Sequence, residues 1–375
     1  MTRGPRPCHH IPHNFMERYN SFNGLRAIGA FGIAMMHYLV NMNDATAAAL
    51  RHSGILYERA IPFFTMFVFM FFILSAFSMC CGYYHKFDVE AGRSSFDAER
   101  FYNKRYSRIF PFFALLVLID LLMNPTREEL YQGFADLTLA FNFLPNPDIH
   151  VIGVGWFVGV VFVFYMLFPW FVYILKDRRR AWFAWGVALA MHLLVVNYFL
   201  TEQFVLPSEI INYRHNIVFS FPFFISGGLL YIYRKPLGNA KLRFAYLLAA
   251  VVCTALQIHV APKIFGENIL FILIIFIFWI LYAMTGGFRM LKTKLLDNRI
   301  MTFLSALSME IYLCHMMMFR LLEKAHLERM IENPQLLYWT YCLLGISLAV
   351  AFSFLVKNIA FPAIGKRIPA LSFLR

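Results

Sequence analysis

Arg26 and His37 stand eleven residues apart in one apolar stretch, Asn23-Gly24-Leu25-Arg26 through His37-Tyr38. Ionisable side chains are costly inside a membrane and face a bundle interior or a wet cavity, so they mark candidate functional positions. At ~100° per residue the spacing overshoots three full turns by only ~20°, which puts both side chains on one helix face. A rise of ~1.5 Å per residue separates them by ~16 Å along the axis, roughly half the hydrocarbon thickness. The structural alternative is a snorkelling arginine and a satisfied core histidine. Lys104, Arg105 and Arg108 form a second constellation, in Lys104-Arg105-Tyr106-Ser107-Arg108-Ile109-Phe110-Pro111. Arg105 and Arg108 share a helical face and make a fork for phosphate groups, unless they are ordinary juxtamembrane cations. A third lies in Ser305 to His315, where Ser305, Ser308, Tyr312 and His315 fall at i, i+3, i+7 and i+10. That polar stripe is expected to line a cavity, with Glu310 pointing elsewhere, toward a cation on a neighbouring helix. Asp120, alone in a run of Leu, Val and Ile, is either an interhelical hydrogen-bond acceptor or a site carboxylate.

The elements that must position these residues follow from composition. The chain of 375 residues is 60% hydrophobic and 18% aromatic, with mean hydropathy +0.60, well above the ~45–50% apolar content of soluble domains. Apolar stretches of membrane-spanning length place it among polytopic α-helical membrane proteins. The expected spans are 22–42, 61–81, 109–124, 152–175, 181–200, 215–233, 244–260, 268–286, 300–319 and 336–356. Of the 34 Lys and Arg, 25 fall in the tails and alternate loops on one side, 8 fall on the other, and Arg26 lies within the first span. This is the positive-inside pattern, and it predicts both termini in the cytoplasm. The net charge of +13 is therefore mostly topology rather than a nucleic-acid surface; anionic lipid and an anionic cofactor account for the rest. The expected fold is an all-α membrane bundle of about ten transmembrane helices: a tail over 1–20, one domain over 21–360 and a second tail over 361–375. No secretory signal precedes the first span.

The remaining features read as structural. Of the six cysteines, all but Cys8 lie in or beside apolar segments without CxxC spacing, so neither a disulfide framework nor a metal site is indicated. Cys8, His9, His10 and His13 lack a second ligand group. The second span is uncharged and crowded with Phe and Met, for which packing or lipid contact suffices. His192, Asn216, Ser220, Cys253 and Gln257 read as interhelical glue. In the outer segment 124–151, residues 131–144 are expected to form a short interfacial or re-entrant helix ending at Pro145-Asn146-Pro147-Asp148.

Together these motifs resemble acyltransferase family 3, multi-spanning membrane O-acyltransferases that modify bacterial surface polysaccharides and some secreted small molecules. Asn23 to His37 is similar to the family's opening pattern of a cation, ten residues and a histidine. Lys104 to Pro111 is similar to its R-x-x-R-I-x-P stretch, and Ser305 to His315 to its S-x-x-I-Y-L-x-H element. Trp156 to Pro169 resembles its fourth span. Two departures stand out. Asn23 replaces a frequent Asp, so a salt bridge to Arg26 becomes a hydrogen bond. The fourth span also lacks the family's acid, leaving Asp120 and Glu310 as candidates for its work.

The resemblance implies a cytoplasmic acyl-CoA donor, acetyl-CoA above all, and a hydroxyl acceptor on a carbohydrate or other exported molecule, in a bacterial inner membrane and without a metal. It implies that Arg105, Arg108 and Lys104 hold the donor's phosphates and that Arg26 steers its thioester end. His37 then acts as general base or as acyl carrier, oriented by Tyr312 or His315. The rival readings are a transporter or flippase and an idle sensor. Against a carrier stand the absence of paired discontinuous helices in the pattern and the lack of similarity between the chain's halves. The sequence sets no oligomeric state.

Overall fold

The computed structural model describes residues 19–90, 93–123, 125–139, 152–199, 215–260, 269–286, 289–290 and 293–367. The tail cluster Cys8, His9, His10 and His13 and the Pro145–Asp148 breaker lie outside them. Described secondary structure is helical except for two two-residue antiparallel pairs, Val89–Glu90 with Arg93–Ser94 and Arg289–Met290 with Thr293–Lys294. The principal helices are α1 (Ser21–Asn41), α2 (Asp44–Arg51), α3 (Phe67–Tyr83), α4 (Ala98–Met123), α5 (Arg127–Leu137), α6 (Trp156–Met166) and α7 (Phe168–Leu175). They continue as α8 (Arg178–Leu194), α9 (Ile217–Ile232), α10 (Arg243–His259), α11 (Ile269–Met284), α12 (Arg299–Ala306), α13 (Ser308–Glu323) and α14 (Pro334–Leu355).

Several starts are written in the sequence as side-chain caps. Asp177, Asn216, Asn298 and Asn333 each accept a hydrogen bond from the backbone N–H three residues on, opening α8, α9, α12 and α14, which satisfies an otherwise orphaned donor. Thr126 does the same for Glu129 N–H at α5, so the helix expected from residue 131 begins earlier, at Arg127. Leu130, Tyr131 and Phe134 remain exposed on α5, as on a helix lying at an interface.

Five stretches are long and apolar enough to cross a membrane: Leu56–Phe87, Ala98–Met123, Arg178–Phe199, Ala240–His259 and Pro334–Arg367. Each of the ten expected apolar stretches is occupied by helix, but two are broken: α6 and α7 meet at 62°, and α12 and α13 at 67°. Counting each bent pair as one span gives seven; Ile217–Ile232 and Leu270–Met284 are shorter apolar helices. α1 is not among the seven, because Asn23, Arg26, His37 and Asn41 interrupt its apolar character. The expectation of no discontinuous helices therefore fails and carries no weight against a transporter.

The two breaks have different causes. Pro169, in the first turn of α7, offers no N–H to the preceding turn. No proline lies between α12 and α13. There Leu307 leaves helical geometry at φ −106°, ψ 0°, and the Ser308 hydroxyl donates to the Ser305 carbonyl at 2.9 Å. Lys357 then supplies what the break lacks: its Nζ donates to the Ala306 carbonyl at 2.6 Å and lies 2.5 Å from Glu310 Oε1. The cation expected for Glu310 is thus Lys357, and the pair staples the bend. The break also corrects the expected stripe, since Ser305 sits on α12 while Ser308, Tyr312 and His315 sit on α13.

α1 runs through the middle of this arrangement. The Tyr38 hydroxyl donates to the His315 carbonyl at 3.2 Å, and the Tyr338 hydroxyl donates to the Met35 carbonyl at 3.0 Å. The Tyr38 ring can approach α14 because position 345 is glycine: a Cβ there would lie 2.7 Å from the ring. These contacts fix α1 against α13 and α14.

Glu310 carries a side chain only 3% exposed, so removing its cation strands a buried charge. Lys357→Met should cost about 2 kcal/mol of stability, discounted because the lysine is itself partly exposed. Lys357→Met/Glu310→Gln should recover most of it. Thermal unfolding of the detergent-purified variants checks this; a double variant no more stable than the single one would show that the pair is no staple.

Candidate active site

α3 places Phe71, Ser75 and Ser78 at i, i+4 and i+7, on one face. That face lines a cavity of about 860 Å³ shared with α1, α4, α6, α12 and α13, near the top of the ~300–1,000 Å³ range of small-molecule sites. The second span, expected to serve packing or lipid contact, is therefore a wall of the site. Ser75 and Ser78, three residues apart on one helix face, were the available signal.

Five cations, Arg26, Lys86, Lys104, Arg105 and Arg108, line the cavity, and among the described residues no Asp or Glu does. Lys104, Arg105 and Arg108 belong to α4, which begins well before the expected span, so the basic motif lies near the start of one continuous helix. The Arg105 guanidinium lies over the rings of Tyr83, Phe101 and Tyr165 at 5.0–5.4 Å, and its Nε has no hydrogen-bond partner among the described residues. Aromatic faces hold the cation in place electrostatically without consuming its donors. Lys86 follows α3 in the turn Tyr84–Phe87. Lys176 Nζ tethers that turn, donating to the Tyr84 carbonyl at 3.2 Å and to Asp88 Oδ1. The Lys176 hydrogen bond holds the Asp88 carboxyl below the usual carboxylate range.

Arg26 also lines the cavity, and its Nη2 donates to Ser78 Oγ at 2.5 Å. The expected hydrogen bond between Asn23 and Arg26 is not made. Asn23 instead accepts from the Ser305 hydroxyl at 3.2 Å and donates to Thr302 Oγ1 at 3.4 Å, tying α1 to α12. Arg26 is left facing the cavity, with no carboxylate partner among the described salt bridges.

His37 and His315 meet with ring centroids 4.9 Å apart and His315 Nε2 2.9 Å from His37 Nδ1. His315 is fully buried. Its Nδ1 lies 2.6 Å from the Tyr312 carbonyl, which only accepts, so that nitrogen carries the proton. In a neutral ring Nε2 then bears the lone pair, and it accepts from His37 Nδ1–H. This leaves His37 Nε2 as the free lone pair of the two rings. The chain of bonds from carbonyl to His315 to His37 orients one imidazole by another, as a carboxylate does in other histidine sites.

Neither histidine lines the cavity. Tyr312 does, and its ring centroid lies 5.9 Å from that of His315, with the hydroxyl donating to the Val154 carbonyl at 2.8 Å. Tyr312 is the partition between the cation-lined chamber and the histidine pair. Ser305 and Ser308 line the chamber on either side of the helix break. Trp156 lies outside the lining, stacked on His215 at 3.9 Å and 6°. Both candidates for the missing fourth-span acid are also outside it: Asp120 is half-buried on α4 and Glu310 is engaged by Lys357. His192 serves as interhelical glue, with Nδ1 donating to the Phe219 carbonyl at 2.9 Å. Among the described residues the cysteines are free, and no three metal-ligating side chains converge.

No curated protein and no solved structure matches the chain. The sequence profile described as an acyltransferase domain matches residues 19–357, in which the cation-lined chamber and the histidine pair both fall, and the chain belongs to acyltransferase family 3, as a membrane acyltransferase.

Proposed function

We propose that this protein moves an acetyl group from cytoplasmic acetyl-CoA to a hydroxyl of a carbohydrate on its way to, or at, the cell surface of a bacterium, working in the inner membrane. The observation that carries the reading is a chamber lined by five cations and no carboxylate, ending at Tyr312, with a histidine pair behind it. Coenzyme A is a polyanion with a long apolar-tolerant arm. Its phosphates sit among Lys86, Lys104, Arg105 and Arg108, where charge-assisted hydrogen bonds hold them. Arg26, deeper along α1, draws the thioester end inward. Both chain termini lie on the donor's side, in a topology of ten spans.

The acceptor approaches from the opposite side and presents its hydroxyl to His37 Nε2. Tyr312 stands between the two compartments, so its side chain must turn aside for transfer; the acceptor oxygen then attacks the thioester carbon and its proton passes to His37 Nε2. The carbon–sulfur bond breaks, and the departing thiolate recovers a proton from the imidazolium. His315 accepts from His37 Nδ1–H throughout and keeps the reactive nitrogen unprotonated at the start. In this reading His315 does the orienting work for which no fourth-span acid is present. His37 acts as base, with no acyl-histidine intermediate.

His37→Ala should lower transfer by about 10²–10⁴-fold, the usual share of a general base, while coenzyme A affinity stays within experimental error of wild type. Mass spectrometry of surface glycans for the acetyl increment, together with binding of coenzyme A to purified protein, separates the two effects. Full acetylation by a correctly inserted His37→Ala protein would remove His37 from the chemistry. Arg105→Ala and Arg108→Ala should each weaken coenzyme A binding by roughly tenfold or more, as expected for a lost hydrogen bond to a charged group; unchanged affinity would reject the phosphate assignment.

A further inference from the structure

Three aromatic rings close the inner end of the chamber. Phe71 of α3, Phe157 of α6 and Tyr312 of α13 all line it, with centroids 5.8 Å apart for Phe71 and Phe157 and 5.3 Å for Phe157 and Tyr312. Each ring is supported from behind. Phe71 lies against the backbone of α1 at Gly29, where a Cβ would stand only 2.9 Å from its Cζ. Phe157 packs on Phe72 at 5.0 Å, itself fully buried. The Tyr312 hydroxyl is anchored on the Val154 carbonyl. Phe71 and Phe157 have little room to retreat, since close-packed interiors accept extra methylenes only by displacing side chains or backbone.

We propose that Phe71, Phe157 and Tyr312 set the acyl-chain length of the donor, admitting acetyl and rejecting butyryl and longer chains. The inference rests on reading the chamber as the coenzyme A site. With the phosphates at the basic mouth and the arm running past Arg26 and Ser78, the acyl group is the part that meets the rings. A methyl group abuts them; each further methylene must push into the wall. Gly29 belongs to the same device, because it leaves room for the tip of the Phe71 ring against α1. A side chain at position 29 drives the ring toward the lumen.

The test is equilibrium binding of free coenzyme A and of acetyl-, propionyl-, butyryl- and hexanoyl-CoA to the purified full-length protein in detergent. Wild type should bind coenzyme A and acetyl-CoA alike and lose about tenfold or more in affinity on reaching butyryl-CoA, the usual penalty for misfitting methylenes. Phe71→Leu and Phe157→Leu, which keep an apolar core, should bring butyryl-CoA back to within a few-fold of acetyl-CoA. Gly29→Ala should shift the cut-off the other way, so that propionyl-CoA is already rejected while free coenzyme A binds as before. Variants that move every donor by the same factor, or a wild type indifferent to chain length, would overturn the wall. Failure of wild type to bind free coenzyme A would overturn the donor reading itself, and with it any role of the rings in choosing a donor.

Discussion

Polar groups placed inside an apolar bundle must be answered by other groups of the protein, and that constraint organises this molecule. His37 is answered by His315, and His315 by the Tyr312 carbonyl. Glu310 is answered by Lys357, which also takes the carbonyl freed where α12 ends. Arg26 is answered, among the described residues, by the Ser78 hydroxyl. The first two sets are paired within the protein and hold the architecture. The third is left incomplete, and it faces the chamber. In a medium where an uncompensated charge is expensive, a cation with no carboxylate beside it is most economically explained by an anionic ligand.

The helix break at Leu307 links these sets. A straight helix from Arg299 to Glu323 would carry Ser305, Ser308, Tyr312 and His315 along one line. The 67° bend instead lets α12 meet Asn23 through Ser305 while α13 turns Tyr312 into the partition and sets His315 against His37. Lys357 makes the bend tolerable by satisfying the freed Ala306 carbonyl and neutralising Glu310. A residue remote in sequence, in the helical turn Val356–Ala360 that follows α14, thereby sets the geometry of the site.

Much of this was legible in the sequence, for identifiable reasons. Arg26 and His37 announced themselves as charges in an apolar helix, and the Arg105–Arg108 spacing as a fork on one face. Glu310 implied a cation before Lys357 could be named. What was not legible depended on contacts between distant segments. The bend between α12 and α13 has no proline to betray it, and its cause lies fifty residues away at Lys357. The partnership of His37 with His315 joins the first helix to the thirteenth. Asn23 turned from Arg26 to Ser305 because α12 arrives there in three dimensions. Ser75 and Ser78 carry little signal in the sequence because hydroxyls in a Phe-rich span are usually satisfied by the helix's own carbonyls, as Ser78 is in part by Leu74.

The most direct measurement is an experimental structure of the protein with coenzyme A added. Phosphate density among Lys86, Lys104, Arg105 and Arg108, with the thiol end directed past Arg26 toward Tyr312, is the predicted result. A bound molecule elsewhere on the protein, or an empty chamber at saturating coenzyme A, would contradict it.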